Sequence, residues 1–489
     1  MADVTGAHHG GVLLTFERKG ILAMSDLNGA VEYWVPECVR TYLQALGYVL
    51  PLESMEGFIR TWHEWMQSSG SFYDYKDTDG FGRVYEVHRR SIHPAMRVCR
   101  EWGSLLLNDK TSVVCEDQGC TDWLGEFFME TGFMPAAQAT LVRAFGMGTG
   151  AWALWVDPSA KKVRVRQYDA RMVVPLTWDE EGVTECAFVT RVFYRGKGID
   201  QLQIHQVGPA GTYLIQTVCF DAEGNLIVPE GVLDVYDTGS VWPTFSLVKP
   251  AIDNTRVDMS PYGQSVFADA IDAIQAVDLS FDALINEVDV SKMRIFLSDV
   301  MFDQREDHKG KRVSIPFGKQ DCTVFRKVMS TEDMVQEFAP ALRTTAQSEA
   351  FRVALQMLGD LTGFGITYFD FDNVGYVKTA TEVSSDNSAL MRNIARHEHV
   401  LEKSLCSISR ALLHMGRSFG AALPDEGEVS CIFDDSIITD TAAEKEQDMK
   451  EVGVTMARWE YRHKWYGEDE STARRMAAEV GTDVPGSVG

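Results

Sequence analysis

Apolar side chains recur at three- and four-residue steps over 55–67 ("MEGFIRTWHEWMQ") and 92–107 ("IHPAMRVCREWGSLLL"), the period of an amphipathic helix. Two further helices are predicted at 121–131 and 136–146. From Ala151 the period falls to two. "AWALWV", "VRVRQY", "TECAFVTRVFY", "LQIHQV" and "GTYLIQTVCF" alternate or run β-branched between Gly and Asp turns, so 151–250 reads as a β-rich block. After Pro261 the helical step returns. Val266, Ala270, Ile274, Val277, Phe281, Leu284 and Val288 line one face of a helix over 264–291. Short strands follow in "MRIFLSDVMF", "KRVSIPF" and "CTVFRKV", around the turn "REDHKGK". The pattern predicts a helix beginning at Ser330, bent or restarted at Pro340, and running to Leu358. Gly359, Gly363 and Gly365 end it.

The next segment, "GFGITYFDFDNVGYVK", has no period. It mixes glycines, aromatics and acids, and it sits in front of a helix with a strong start signal. Thr379 and Glu382 have capping-box spacing: the Thr379 hydroxyl accepts from the amide three residues on, and Glu382 reaches back. Leu390, Ile394, Leu401, Leu405, Ile408, Leu412, Met415 and Phe419 carry one apolar stripe onward. The predicted helix is about 40 residues, or about 60 Å long. After "EVSCIFDDSIITD" the chain reads as helices at 441–452, 455–466 and 469–480. The fold class is α+β, mainly helical. No internal repeat or low-complexity tract stands out.

Charge sharpens the picture. The chain of 489 residues has a net charge of −25, which argues against tight DNA binding through phosphate neutralisation. The polar side of 264–291 carries Asp269, Asp272, Asp278, Asp282, Glu287 and Asp289, with no Lys or Arg. A solvent-facing helix ordinarily mixes signs to gain i,i+4 pairs. The one-sign face is either chance in an acidic protein or a face that repels an anion. Residues 292–327 invert the balance, with nine Lys and Arg against five Asp and Glu.

The content of 45% hydrophobic and 24% charged residues is that of a globular protein. No run of about 18 apolar residues predicts a membrane span, and no signal peptide is expected at the Gly-rich start. Nine scattered cysteines suit a reducing cytosol, most of them as small core residues. Cys115 and Cys120 are the only close pair, and no second pair completes a zinc site.

Catalytic signatures are missing. There is no Walker A loop, and "GMGTG" at 146–150 follows a helix and precedes a strand, the reverse of a dinucleotide loop, so it is a tight connection. His397 and His399 are two apart on a helix, so they point away from one another and read as surface or interface residues. Asp370 and Asp372 resemble a carboxylate pair, but no His, Lys or third acid supports them in sequence. No cofactor, metal or catalytic residue is expected.

The stretch "KTATEVSSDNSALMRNIARHEHVLEKSL" resembles the Lys-Thr-Ala-Thr-Glu-Val motif, Asn-Ser step and long helix of the portal proteins of tailed bacteriophages, of the SPP1-type portal family. "DDSIITDTAAEKEQDMKEVGVTMARWEYRHKWYGEDE" is similar to that family's C-terminal segment. "RVCREWGSLLLNDK", "VCED" and "LVRAFGMGTGAWALWV" are similar to its N-terminal half. The resemblance covers about 85–480. It implies a ring of about twelve subunits at one capsid vertex, with double-stranded DNA passing through a central channel without sequence specificity. It also implies segment roles: 1–50 unassigned, 51–260 wing, 261–291 first stem helix, 292–329 clip, 330–358 second stem helix, 359–378 tunnel loop, 379–430 long wing helix and following strand, and 431–489 crown.

On this expectation Gly365, Tyr368, Phe369, Asp370, Phe371, Asp372, Asn373 and Lys378 form the channel loop, with Gly359, Gly363, Gly365 and Gly375 permitting its motion. Asp269, Asp272, Asp278, Asp282 and Glu287 face the channel, where twelve copies carry a formal charge of about −300. Arg305, Lys309, Lys311 and Arg312 either contact terminase and adaptor proteins or balance acids across the ring interface. The implied partners are further copies of the chain, large terminase, major capsid and scaffold proteins, and head-completion proteins, with no membrane. The implied place is the virion, after assembly in host cytoplasm. The competing expectations are another phage head protein (minor capsid or adaptor) and an acidic cytosolic α+β enzyme.

Overall fold

The computed structural model describes residues 33–78, 82–157, 161–194, 196–229, 232–290, 294–298, 303–306, 312–315, 324–327, 335–338, 343–369, 388–433, 445, 448–453 and 455–480, with the short strands between 294 and 338 described as backbone. The fold is mixed α+β. It begins with α1 (Glu37–Ala45), α2 (Leu52–Gln67), the hairpin β1 (Asp74–Thr78) and β2 (Val84–His88), and α3 (Pro94–Leu106). Then come β3 (Ser112–Cys115), α4 (Gln118–Thr131) and α5 (Phe133–Met147). The four helices predicted between 55 and 146 are α2, α3, α4 and α5, with shifted ends. Asp117 caps α4 by accepting from the Cys120 amide at 3.0 Å, the role a short carboxylate fills at a helix start.

The β-rich block holds β4 (Gly150–Asp157), β5 (Lys162–Asp169), β6 (Val173–Trp178), β7 (Val183–Tyr194), β8 (Lys197–Val207), β9 (Tyr213–Phe220), β10 (Leu226–Ile227), β11 (Val235–Asp237) and β12 (Phe245–Val248). They form two antiparallel sheets. One runs β12-β4-β5; the other runs β6-β7-β8-β9, with β10 and β11 both on β9. The alternation of β4 shows how they pack. Ala151 and Ala153 face a small core with Tyr168, Phe188 and Phe245, while Trp152 and Leu154 point into the main helical core. Small residues on one face and large on the other let a strand be buried on both.

"GMGTG" is the predicted helix-to-strand connection. Gly148 has φ 82° and lies against Gly263, so a Cβ on either glycine would collide with the other's carbonyl. This contact brings the chain after the β block back beside α5, where Val266 N–H donates to the Phe145 carbonyl at 2.9 Å.

Helix α6 is Ile271–Val290, shorter than the predicted 264–291 because 266–269 are turns. Five strands follow: β13 (Arg294–Ser298), β14 (Asp303–Glu306), β15 (Arg312–Ile315), β16 (Val324–Lys327) and β17 (Val335–Phe338). β14 and β15 pair across "REDHKGK" as a hairpin, and β13 lies between β16 and β17. Here the sequence reading is corrected. Residues 335–338 are strand, not helix, and α7 is Thr344–Leu361, so it starts after Pro340 rather than at Ser330. A four-residue segment with Gln and Glu has no strong preference of its own. The antiparallel partner on β13 decides it.

Helix α8 is described over Ser388–Ser418, and its expected cap at Thr379 and Glu382 lies outside the described residues. Next, β18 (Val429–Ile432) pairs antiparallel with β3. The last elements are α9 (Arg458–Tyr466) and α10 (Glu470–Val480).

Trp102 on α3 sits at the centre. It is fully buried. Its ring lies 6.2 Å from Phe145 of α5, 4.5 Å from Phe364 beyond α7 and 4.7 Å from His397 of α8. Its indole N–H donates to the Thr362 carbonyl at 3.2 Å. Trp102→Ala is expected to cost about 4 kcal/mol, from lost burial, the cavity left and the orphaned carbonyl. Urea unfolding measures it; a loss below about 1 kcal/mol would mean that the indole is not the tie described.

Candidate functional site

The residues singled out in the sequence gather around α6, α7 and the turn after α7. The two helices run antiparallel. Glu287 near the end of α6 accepts from Arg343, just before α7, at 2.7 Å, and Phe281 lies 6.4 Å from Phe351 further along. Ala273, Ile274 and Val277 of α6 are buried, as are Ala354, Leu355 and Leu358 of α7. Each fully buried aliphatic contributes about 1.5–3 kcal/mol, whereas an exposed ion pair contributes about 0.2–1. The apolar seam, not Glu287–Arg343, holds the helices together.

The five acids are not one face. Asp278 is buried within its own chain. It accepts from Tyr73 Oη at 2.6 Å, Ser91 Oγ at 2.7 Å and the Ile92 amide at 3.1 Å. A group so enclosed presents no charge to any channel, which corrects its place among the channel-facing acids. Asp269 precedes the helix and pairs with Arg256. Asp282 lies 3.5 Å from Arg90, and Glu287 is paired with Arg343. The helix has no cation of its own, but cations arrive from elements before and after it. Only Asp272 of the five is exposed with no partner among the described residues. Sequence spacing missed this because the partners lie from 13 to 205 residues away.

Three hydrogen bonds favour the charged form of Asp278, but burial outweighs them and raises its pKa. Hydrogen bonding to Arg343 holds Glu287 below the usual carboxylate range. Burial lowers His397 to about 4 and keeps it neutral. His397 is not the surface residue expected from sequence. Its Nδ1 accepts from the Ala251 amide at 3.0 Å, and its ring packs on Trp102 and Phe145. His399 is exposed, as expected.

The glycines after α7 form a tight cap. The amides of Phe364 and Gly365 both donate to the Gly359 carbonyl, at 2.9 and 3.0 Å. Gly363 and Gly365 have φ of 87° and 84°, and a Cβ on Gly359 would meet the Gly365 carbonyl. Asn393 of α8 donates to the Gly363 carbonyl at 2.9 Å. Tyr368 and Phe369 fold back with Phe364, at 4.6 and 5.3 Å between rings, and Tyr368 Oη donates to Glu101 at 3.0 Å. With Ile92, Pro94, Leu355 and Leu358 they border an apolar cleft. Thus Gly359, Gly363, Gly365, Tyr368 and Phe369 build a hydrogen-bonded turn packed against the rest of the chain. Asp370, Phe371, Asp372, Asn373, Gly375 and Lys378 lie outside the described residues, as do Lys309 and Lys311. Arg305 and Arg312 sit on β14 and β15, at neighbouring register positions of the hairpin.

One feature had no sequence signal. Val353, Met357 and Leu361, spaced by four on α7, are 40%, 57% and 53% exposed. They form an apolar stripe beside the buried seam.

Among the described residues, no group of three or more His, Cys, Asp or Glu could hold a metal ion, and no helix is long and apolar enough to cross a membrane. No protein-family profile and no curated protein matches the sequence. Similar solved structures include three chains of gene transfer agent particles. A chain of the virion of a native gene transfer agent particle has 11% identity and a TM-score of 0.38, covering 76% of this chain and 88% of that one. A chain from the neck of the native particle, computed with C12 symmetry, has 12% identity and a TM-score of 0.36, with the same coverage. A chain from the neck of the empty particle, computed with C6 symmetry, has 12% identity and a TM-score of 0.38, covering 75% and 88%.

The Asp278 site predicts an unusual pH dependence. A carboxyl whose folded pKa is raised contributes stability below the unfolded value of 3.8, and loses it as pH rises through the folded value. The ion-paired carboxylates have the opposite sign. The difference in urea midpoint between wild type and Asp278→Asn therefore isolates it. Wild type is expected to lose stability relative to the variant as pH rises from about 4. A difference that does not vary with pH would show that Asp278 does not titrate from a raised value.

Proposed function

We propose that this chain is a non-enzymatic structural protein of a phage-like particle and, within it, the portal subunit that forms the DNA channel. The observation that carries the reading is the antiparallel α6–α7 pair, which brackets a β insertion and leads through an aromatic turn into the long α8. In a portal these are stem, clip, stem, tunnel-loop base and wing. The motif at 376–403 supports the same assignment. A minor capsid or adaptor protein has no need of a helix pair with a channel loop at one end.

The exposed stripe of Val353, Met357 and Leu361 favours assembly. Apolar surface at regular helical spacing is stable in water when another surface covers it. A neighbouring copy in a ring of about twelve supplies that cover. Asp272 is then the acid best placed to face passing DNA, where a carboxylate repels phosphate over about 8–10 Å. Asp269, Asp282 and Glu287 act mainly through their arginine partners. The turn at 359–369 serves as the base of the channel loop. The hairpin carrying Arg305 and Arg312 is the contact for terminase and, after packaging, head-completion proteins. The protein reaches the virion by assembly in host cytoplasm with capsid and scaffold proteins.

Native mass spectrometry with negative-stain microscopy tests the ring. A closed ring of about twelve copies with an axial opening is expected, and Met357→Asp should leave the monomer folded but abolish the ring. A chain that stays monomeric at high concentration with scaffold present would end the portal reading. Within assembled particles, Asp272→Lys is expected to slow packaging at least several-fold; an unchanged packaging rate would remove Asp272 from the channel.

A further inference from the structure

Four of the eight described free cysteines gather where α8 meets the β3–β18 ladder. Cys406 lies on α8 and Cys431 on β18, with their sulfurs 3.9 Å apart. Cys115 sits on β3, where the register pairs Val429 with Cys115 and Cys431 with Val113. It is the diagonal neighbour of Cys431 on one face of the ladder. Cys120, at the start of α4, directs its thiol to the Pro424 carbonyl at 3.6 Å. Such residues are ordinarily inert packing. Two observations set Cys406 and Cys431 apart. Their sulfurs are 3.9 Å apart, against a bond of about 2.05 Å. The pair is also within reach of solvent, since Cys431, against the buried Cys406, is partly open to it.

We propose that Cys406 and Cys431 form a reversible disulfide that locks the C-terminal half of α8 to β18 when the protein meets an oxidant of the peroxide class.

The hydrogen bond between the two sulfurs prepares the step. Either thiol can donate in this contact, which favours the Cys406 thiolate and raises Cys431. Burial and Glu402 oppose the thiolate, and Arg410, one turn along α8, favours it. The Cys406 thiolate attacks peroxide, the O–O bond breaks, and Cys406 becomes a sulfenic acid while the departing hydroxide is protonated to water. The Cys431 sulfur then attacks the Cys406 sulfur. The S–S bond forms, the S–O bond breaks, and the departing hydroxide takes the Cys431 proton as a second water. Two thiols lose two electrons and two protons, and one peroxide becomes two waters. A thiol reductant reverses the bond by exchange.

The cross-link closes a loop between positions 25 apart. It shortens the freedom of the unfolded chain and raises stability. The timing rests on the proposed particle reading: a virion protein is made in a reducing cytosol and then leaves it. The chemistry does not rest on that reading.

The experiment treats the purified full-length chain with hydrogen peroxide and follows intact mass, a peptide map and thermal unfolding. The expected result is a loss of about 2 Da, a cross-linked peptide pair holding Cys406 and Cys431, a higher unfolding midpoint, and full reversal by dithiothreitol. Cys406→Ser and Cys431→Ser should each abolish the cross-link. Three outcomes overturn the proposal: no mass loss, sulfinic acid at Cys406 without a cross-link, or a bond joining Cys431 to Cys115 instead. A cross-link that lowers the midpoint overturns the locking role. Ring formation is read separately by native mass spectrometry in the reduced protein, so a failed disulfide leaves the portal reading standing, and a missing ring leaves the disulfide chemistry standing.

Discussion

The burial of one indole sets where the other parts can be. Trp102 is held by α3, yet it touches α5, the turn after α7, and α8. Ring contacts of this kind contribute about 0.5–1.5 kcal/mol each beyond area burial. The indole N–H also needs an acceptor once buried, and the Thr362 carbonyl is the one in reach. These requirements together leave the chain little choice of path where it leaves α7. The carbonyl must face the indole, Phe364 must lie on the ring, and Gly363 must adopt a positive φ to do both.

A second constraint acts on rotation rather than position. Helix α6 could turn about its axis and still bury apolar surface, because its sequence is apolar over more than half its length. Asp278 prevents this. A buried carboxylate keeps its charge only with donors arranged around it, and Tyr73, Ser91 and the Ile92 amide supply three. Turning the helix would strand all four groups. Val277 and Ile274 are thereby directed into the core, and Asp272 is left outside. The electrostatic site and the apolar seam specify the same geometry. Arg90, Arg256 and Arg343 then meet acids already placed by that geometry, so these pairs follow from the fold more than they create it.

Periodicity made the elements legible where one face of an element is buried against a nearby neighbour. The helices α2 to α5 and the strands β4, β5, β7, β8 and β9 fall where the period placed them, while α1, β6, β10, β11 and β12 were not read. It failed where a non-local partner decides. Residues 335–338 are strand only because β13 offers a ladder, and no local pattern encodes that. The polar residues failed for the same reason. Asp278 and His397 read as surface positions because nothing within a turn of either explains burial. Their donors lie at Tyr73, Ser91, Ile92 and Ala251. The glycines were read as a helix stop, and α7 does end at Leu361, between Gly359 and Gly363. The contact of Gly359 with the Gly365 carbonyl had no signal in the sequence. The cysteines are a parallel case: Cys406 and Cys431, with sulfurs 3.9 Å apart, are 25 positions apart in sequence.

Both ends of the described α8 are tied, and this bears on what the helix does. Near its start, Asn393 bonds the turn after α7 and His397 enters the Trp102 cluster. In its middle, Ser404 donates to the Leu247 carbonyl of β12. Beside it Glu402 accepts from the Cys431 amide, and near the end of the helix Arg417 pairs with Glu426. A helix with attachments along its length acts as a strut, because bending it would break contacts in several places at once. In the proposed portal, a strut joining the wing to the loop base transmits position, not flexibility. The aromatic turn at 364–369 must then be the fixed footing of the channel loop. Under this reading its three rings serve the chain itself, and contact with DNA falls to residues beyond Phe369. Under the same portal reading, the glycine cap and the strut would hold the channel wall in place up to that residue.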